Sequence, residues 1–529
     1  VAFIAGIAAF AFAVSYVLFA DPQMRQLTGI LMGVAAVLLL GACIAAFFRV
    51  DSATASPVLL GVAAGETVAV STGVAGGLLV SSIGGIFAVV GAVLSLRPAP
   101  PAAPGPTITA RSRPQARLCA VQELTRTWWA RPGLEVREGR LTVAGRDAEE
   151  IARTHGTPLY AHDLVRVREQ AWALRDAFAA VGLRGIVRLA LKAQREPELL
   201  AFLRSEAPGV GMDVCSPGEV DWALANGWTP AEISYTGTNV TDRDLERILA
   251  AGVHVNVDLL SQLERYGRRA PGTSVGVRVN PRIGATAKGG GESLYAGARP
   301  TKFGILPERL EEAVAIAARH RLTIDTVHVH VGDGYLTDGL PVFAETVRRV
   351  AGTVRLLREA GHPVAEVNTG GGLGVPDAPG DEPLDVARWA EVLAAELGPL
   401  DVAVGTEPGD FLVKECGVHL AEVVTVEDRD GVTFVGLDTG WIVMGERFVY
   451  RSNLPLVLCR AADAPPAGNV TVAGNINEGD DLYGEDVPLP EVREGDIIAA
   501  LNVGSYNASM TSVHCLREPA GTVFFGDRV

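Results

Sequence analysis

Three stretches near the start of the chain are apolar almost without interruption: Val1–Ala20, Leu27–Phe48 and Thr72–Leu96. A helix rises about 1.5 Å per residue, so about 20 such residues cross the hydrocarbon core of a bilayer. The pattern predicts three transmembrane helices. Val58–Val70 is also apolar but carries Glu66, which suits a re-entrant or interfacial piece. Arg25 lies between the first two runs, and Arg97, Arg111, Arg113 and Arg117 follow the third. Arg49 stands alone on the opposite side. That asymmetry predicts a membrane-anchored, multi-pass chain with its catalytic part in the cytoplasm.

Residues 97–125 are rich in proline and alanine and read as a semi-rigid linker, because proline at that density suits neither helix nor central strand. Beyond it, short apolar runs alternate with amphipathic ones. Strands are predicted at Ile186–Leu191, Val210–Val214, Ile233–Tyr235, Val253–Val257, Val275–Val279, Thr326–His330, Ala365–Asn368 and Val402–Glu407. Segments with apolar residues three and four apart separate them, among them Leu164–Val181, Pro307–Arg319, Val342–Ala360 and Asp385–Leu397. This alternation predicts a parallel α/β fold, and the strand count suits a (β/α)8 TIM barrel. From Gly417 onward the helical period disappears and short strands take over, a C-terminal β domain. The expected division is 1–96 transmembrane region, 97–125 linker, 126–407 barrel with a short lead-in, and 408–529 β domain.

Composition narrows the partners. A formal charge of −15 over 529 residues argues against nucleic acid. The six cysteines are scattered, with no CxxC pair, and offer no metal site.

Three contexts carry candidate chemistry. Lys192 leaves the apolar run Val187-Arg-Leu-Ala-Leu191, where partial desolvation is expected to lower its pKa and favour a free amine for a Schiff base. Gly370, Gly371 and Gly372 follow a predicted strand, and consecutive glycines let backbone N–H groups approach an anion. Glu407 ends the last barrel strand and precedes Pro408-Gly409; a carboxylate there can keep a pyridine nitrogen protonated. Amine, anion cradle and carboxylate are the three anchor points of pyridoxal 5′-phosphate (PLP). Alone, each has a plain structural reading: a packed lysine, a tight turn, a solvated acid.

In order and spacing these contexts resemble the PLP-dependent diaminopimelate/ornithine decarboxylase family, with its alanine-racemase-like barrel. The resemblance runs from about Leu141 to the C-terminus. Further matches are Gly156-Thr-Pro-Leu-Tyr160, Met212-Asp213-Val214, Tyr235-Thr-Gly237, Asn256-Val-Asp258, Arg278-Val-Asn-Pro281, Lys302-Phe-Gly-Ile305, His328-Val-His330-Val-Gly332, Asn475-Ile-Asn-Glu478 and Gly504-Ser-Tyr506. It implies that Lys192 forms the aldimine, that His330 stacks on the ring and that Glu407 pairs with the ring nitrogen. It also implies that Gly370–Gly372 and Tyr506 hold the phosphate, and that Asp213 and Arg278 line the cofactor. Asn477 and Glu478 belong to the catalytic set, delivered across a head-to-tail homodimer near Tyr506. The implied activity is decarboxylation of an amino acid, free or carrier-linked. A PLP racemase or epimerase, and a non-catalytic homologue that binds partners, are the alternatives. The N-terminal helices would anchor the enzyme or engage a lipid-linked substrate.

The chain departs from that family at named places. Asp410 stands where the family has arginine after Glu-Pro-Gly, and Asp333 where it has serine after His-x-Gly. Both residues replaced are phosphate ligands. Arg195 and Arg282 are the expected compensating cations. Asn477 replaces the cysteine that helps deliver a proton, and an amide cannot act as an acid near neutral pH; Cys515 is a nearby thiol. Arg447 lies near the place of the arginine that binds a distal substrate carboxylate, but one residue out of register.

Overall fold

The computed structural model describes residues 58–63, 66–70 and 127–529, except 287–292 and 298. Two units separate, residues 1–112 and 113–529. In the first, Val58–Ala63 and Glu66–Val70 form an antiparallel two-stranded hairpin. The runs Val1–Ala20, Leu27–Phe48 and Thr72–Leu96 lie outside the described residues. Among the described residues no helix is long and apolar enough to cross a membrane. That finding overturns the membrane-anchored, multi-pass location.

The second unit is built on a closed barrel of eight parallel strands in sequence order. They are β1 (Arg184–Ala190), β2 (Gly211–Val214), β3 (Ile233–Gly237), β4 (His254–Val257), β5 (Ser274–Arg278), β6 (Thr323–His328), β7 (Glu366–Asn368) and β8 (Ala403–Thr406). Pairing of Thr406 with Val187 closes β8 onto β1. Side chains alternate across each strand. In β1 the apolar Val187 and Leu189 pack outward into the layer between strands and helices. Arg188 points inward, where both its terminal nitrogens reach Glu366 of β7 at 2.6 and 3.2 Å. The barrel interior is therefore polar: Asn256 donates to Ser234 and Thr236, each at 3.0 Å, and His254 meets Asp325 at 3.0 Å.

The helices between strands carry ordinary stop and start signals. Thr241 caps Asp242–Ala251 by accepting from the Asp244 N–H, and Gly252 ends it in the left-handed region. Outside the barrel, Trp389 is fully buried, its ring 5.2 Å from Phe178 and 6.4 Å from Phe343.

After β8 the chain enters the C-terminal sheet. Gly417–Arg429 pairs with Val432–Leu437 on one side and with Ile497–Leu501 on the other. Its first residues also pair with Leu159–Asp163, which in turn pairs in parallel with Gly521–Phe525. Residues near 160, read from the sequence as a lead into a barrel helix, thus complete the C-terminal sheet. All five residues of Leu159–Asp163 are buried, so alternation could not reveal a face. The long strand Gly417–Arg429 and Leu159–Asp163 bind the sheet to the barrel, which fixes the sheet's loops over the barrel mouth.

Because Trp389 fills space between two aromatic rings, Trp389→Ala is expected to lower unfolding free energy by about 3–5 kcal/mol, read as a lower urea midpoint. A change below about 1 kcal/mol would show that the layer repacks.

Candidate active site

The sequence-derived candidates gather at the C-terminal rim of the barrel, where barrel active sites lie. Lys192 follows β1, Asp213 lies in β2, Arg278 ends β5 and His328 ends β6, with His330 two residues on. Asn368 ends β7 and Glu407 follows β8.

Glu407 is the best-held of these, with 6% of its surface exposed. One carboxylate oxygen meets His328 Nε2 at 3.0 Å, and the other accepts from Asn368 Nδ2 at 2.5 Å. Burial works to raise its pKa, but His328, Arg188 and Asn368 outweigh burial and hold it down at about 2. Glu407 is therefore a buried, ionised carboxylate. Asp213 goes the other way: burial and the charge of Glu407 push its pKa well up, against the pull of Lys192 and Arg188. One Asp213 oxygen has no hydrogen-bond partner among the described residues.

Lys192 lies deep among protein atoms, yet its side chain reaches solvent through the open mouth. Desolvation was expected to lower its pKa. Burial does act that way, but Asp213, with Cys215 and Tyr295, more than offsets it and the pKa is raised. That rise needs Asp213 ionised, while Asp213 itself resists ionising. The charge of each group thus favours that of the other, against burial.

His330 is neutral: burial, and the charges of Arg278 and Lys192, depress its pKa well below the usual value. Its Nδ1 accepts the Gly371 N–H at 3.2 Å, which leaves the ring proton on Nε2. Tyr295 meets the ring edge-on at 4.6 Å and 84°. Arg278 lies over the Phe303 ring at 4.4 Å and 3.6 Å from Asp258, which also accepts the Gly304 N–H at 2.9 Å. Three separate sequence matches, around Asp258, Arg278 and Phe303, are therefore one cluster.

The glycine run has a structural demand as well as a chemical one. A Cβ on Gly370, whose φ is +68°, would lie 2.4 Å from the Val329 carbonyl oxygen, and one on Gly371 would lie 2.5 Å from that of Glu407. The loop threads between the ends of β6 and β8, tying His330 to Glu407. Tyr506 reaches this mouth within its own chain: its N–H donates to the Ala193 carbonyl at 2.9 Å, and its hydroxyl lies 2.5 Å from where a Gly409 Cβ would be. Asn477 and Glu478 are not brought in. Both are exposed, and Glu478 pairs with His514 at 2.9 Å.

The compensating cations are not those expected. Arg282 pairs with Glu308, and Arg195 is exposed. The cation near Asp410 and Asp333 is Lys414, which sequence reasoning missed. Its signal was the spacing: it lies four residues after Asp410 beyond the apolar Phe411-Leu-Val413. Arg447 donates to the carbonyls of Tyr483 at 3.4 Å and Ser452 at 3.3 Å, while its neighbour Glu446 meets Lys414 at 2.6 Å. Cys515 is exposed. His328, Asn368, Arg188 and Tyr295 also went unassigned from sequence; His328 was legible only as the strand-mate of His330.

An ionised carboxylate at the floor, a lysine at the rim, a neutral imidazole and a backbone turn free of side chains together fit PLP at its ring and aldehyde ends. Residues 164–414 match the family profile described as "Pyridoxal-dependent decarboxylase, pyridoxal binding domain". The diaminopimelate decarboxylase of Methanothermobacter thermautotrophicus is 34% identical over 391 residues, 72% of this chain and 90% of that one. The Streptomyces coelicolor diaminopimelate decarboxylase is 33% identical, over 69% and 83% of the two chains. Among solved structures, Helicobacter pylori diaminopimelate decarboxylase complexed with L-lysine superposes with a TM-score of 0.65 at 26% identity, covering 71% of this chain and 93% of that one.

The charge on Glu407 has a stability consequence. Its folded pKa, about 2, lies below the 4.5 of a free glutamate. A depressed carboxylate stabilises the fold above the unfolded value, and that contribution is lost as pH falls through the folded one. Glu407→Gln is therefore expected to lose up to about 3 kcal/mol at pH 7, with the gap from wild type closing between pH 4.5 and about 2. Urea denaturation across that range checks it; a gap constant with pH would mean Glu407 is not ionised.

Proposed function

The chain belongs to the pyridoxal-dependent decarboxylase family that includes the diaminopimelate decarboxylases, and from that premise we propose which residues do its work and on what kind of amino acid. It is a PLP-dependent carboxy-lyase. PLP, when bound, supplies the electron sink that accepts the pair left behind as CO2 departs. Lys192 would hold the cofactor's aldehyde end, and Glu407 would keep a proton on the ring nitrogen. That last role carries the reading, because a carboxylate held ionised by His328 and Asn368 strengthens the sink. It also favours decarboxylation over racemisation, where the ring nitrogen is left unprotonated beside an arginine.

His330 offers the flat face for the ring, and Asp213 and Arg278 form the walls. Gly370, Gly371, Gly372 and Tyr506 take the phosphate end. The Lys192 amine, whose proton the Asp213 carboxylate favours, stands at the reacting end. Asn477 and Glu478 act, on this reading, in the site of a second copy. A homodimer suits their exposed loop: beside the His514–Glu478 pair, Val513 is 78% and Leu516 90% exposed.

The substrate is an α-amino acid whose far end is not a carboxylate. The guanidinium of Arg447 donates to the carbonyls of Tyr483 and Ser452 and is not free to meet a distal carboxylate. A distal amine needs no such guanidinium.

Two measurements test this. Purified protein given PLP should show a visible absorbance band that is absent in Lys192→Ala. In a CO2-release panel, amino acids with a distal amine alone should react at least tenfold faster than those with a distal carboxylate. No band in either protein would sink the site reading; fastest release from diaminopimelate would sink only the substrate class.

A further inference from the structure

Lys414 is a buried charge that the proposed chemistry leaves unused. It is 5% exposed, a rare state for lysine unless it is paired. Its Nζ lies 2.6 Å from Glu446 Oε1 and 3.0 Å from Asp377 Oδ2. Burial disfavours its charge, yet Asp410, Glu446 and Asp377 outweigh burial and raise its pKa well above the usual value. A fourth carboxylate, Asp333, is pushed up by burial and by Asp410 and drawn back by Lys414.

These groups meet at one place. Asp333 follows Gly332, whose carbonyl oxygen lies 2.5 Å from where a Gly372 Cβ would be. Asp410 follows Gly409, which packs on the Tyr506 hydroxyl, and its carboxylate accepts from Ser505 Oγ at 2.6 Å. The glycine loop, Tyr506, Asp333 and Asp410 therefore border the same space, the proposed seat of the phosphate. A dianion there would face two carboxylates with no arginine beside it. Each such pair repels strongly in a partly buried site. Lys414 lies one helical turn beyond Asp410, and its carbonyl accepts the Gly504 N–H at 3.0 Å, two residues before Tyr506.

We propose that Lys414 is the counter-charge that lets this site accept the dianionic end of PLP, the positive charge of position 410 moved one turn inward. The inference rests on the cofactor reading above and adds a residue to it. Lys414 acts through the carboxylates around it, so it is a positioning residue and not a ligand. Its one positive charge offsets part of the negative charge of Asp410, Asp377 and Glu446 and so lowers the repulsion that a phosphate meets. The competing account is that Lys414 only pins Glu446 of the C-terminal part to the barrel.

Pyridoxal separates the two accounts, since it has the same ring and aldehyde and no phosphate. Apoprotein is titrated with PLP and with pyridoxal, and binding is read from the visible band. In Lys414→Met, PLP affinity should fall about 100-fold, roughly 2.8 kcal/mol at 1.4 kcal/mol per tenfold. Pyridoxal affinity should change less than about threefold. Adding Asp410→Arg to that variant should restore PLP binding to within about tenfold of wild type. Asp410→Asn alone, which keeps Lys414 in place, should tighten PLP relative to pyridoxal. Equal loss for both ligands, no loss for either, or no selective gain in Asp410→Asn overturns the proposal. If wild type binds neither ligand, the cofactor reading falls, and this inference falls with it.

Discussion

A carboxylate that must stay ionised while almost wholly buried is the constraint around which this molecule is arranged. Removing a charge from water is costly, and a protein offsets the cost only by placing opposite charge and hydrogen-bond donors against it. Glu407 receives both, from His328 Nε2 and from Asn368 Nδ2. Neither partner is free to wander, because each ends its own barrel strand. Beneath them Arg188 and Glu366 form a two-pronged ion pair across β1 and β7. Gly405 of β8 leaves room for it: a Cβ there would lie 2.8 Å from Glu366 Oε1. The polar interior that supports Glu407 thus dictates residues on four strands.

The same constraint explains the glycines better than an anion cradle does alone. For β7 and β8 to bring Asn368 and Glu407 together, the loop after β7 must pass under the Glu407 carbonyl and beside Val329. Only residues without a Cβ fit those two gaps. Two of the loop's N–H groups are then already used, on Asn368 and on His330. The loop fixes the orientation of the imidazole as much as it offers itself to a ligand.

This division explains what could be read from the sequence. Barrel strands announce themselves because their outward residues are apolar at period two and the helices between them have period 3.6. Lys192 and Glu407 stand out because each ends an apolar run where charge is out of place. Leu159–Asp163 did not stand out, since a strand buried along its whole length has no alternation, and its partners at 417–420 and 521–525 are far away in sequence. Asn477 and Glu478 were found by motif alone, and within one chain nothing in their surroundings marks them as part of a site.

Lys414 was missed for a more general reason. A motif compares residues position by position, whereas electrostatics depends on the sum of charges within a few ångströms. At position 410 the comparison registers a loss, arginine replaced by aspartate. The folded chain puts a cation four residues later and surrounds it with Asp377, Glu446 and Asp410 from three separate segments. The same cluster draws Glu446 inward while its neighbour Arg447 turns to the Ser452 and Tyr483 carbonyls. One relocated positive charge therefore bears on both ends of the proposed site. It offsets the carboxylates at the phosphate end, and it commits Glu446, which leaves the substrate end without a free guanidinium. Changes that look like independent losses in the sequence become a single rearrangement once their side chains share a space.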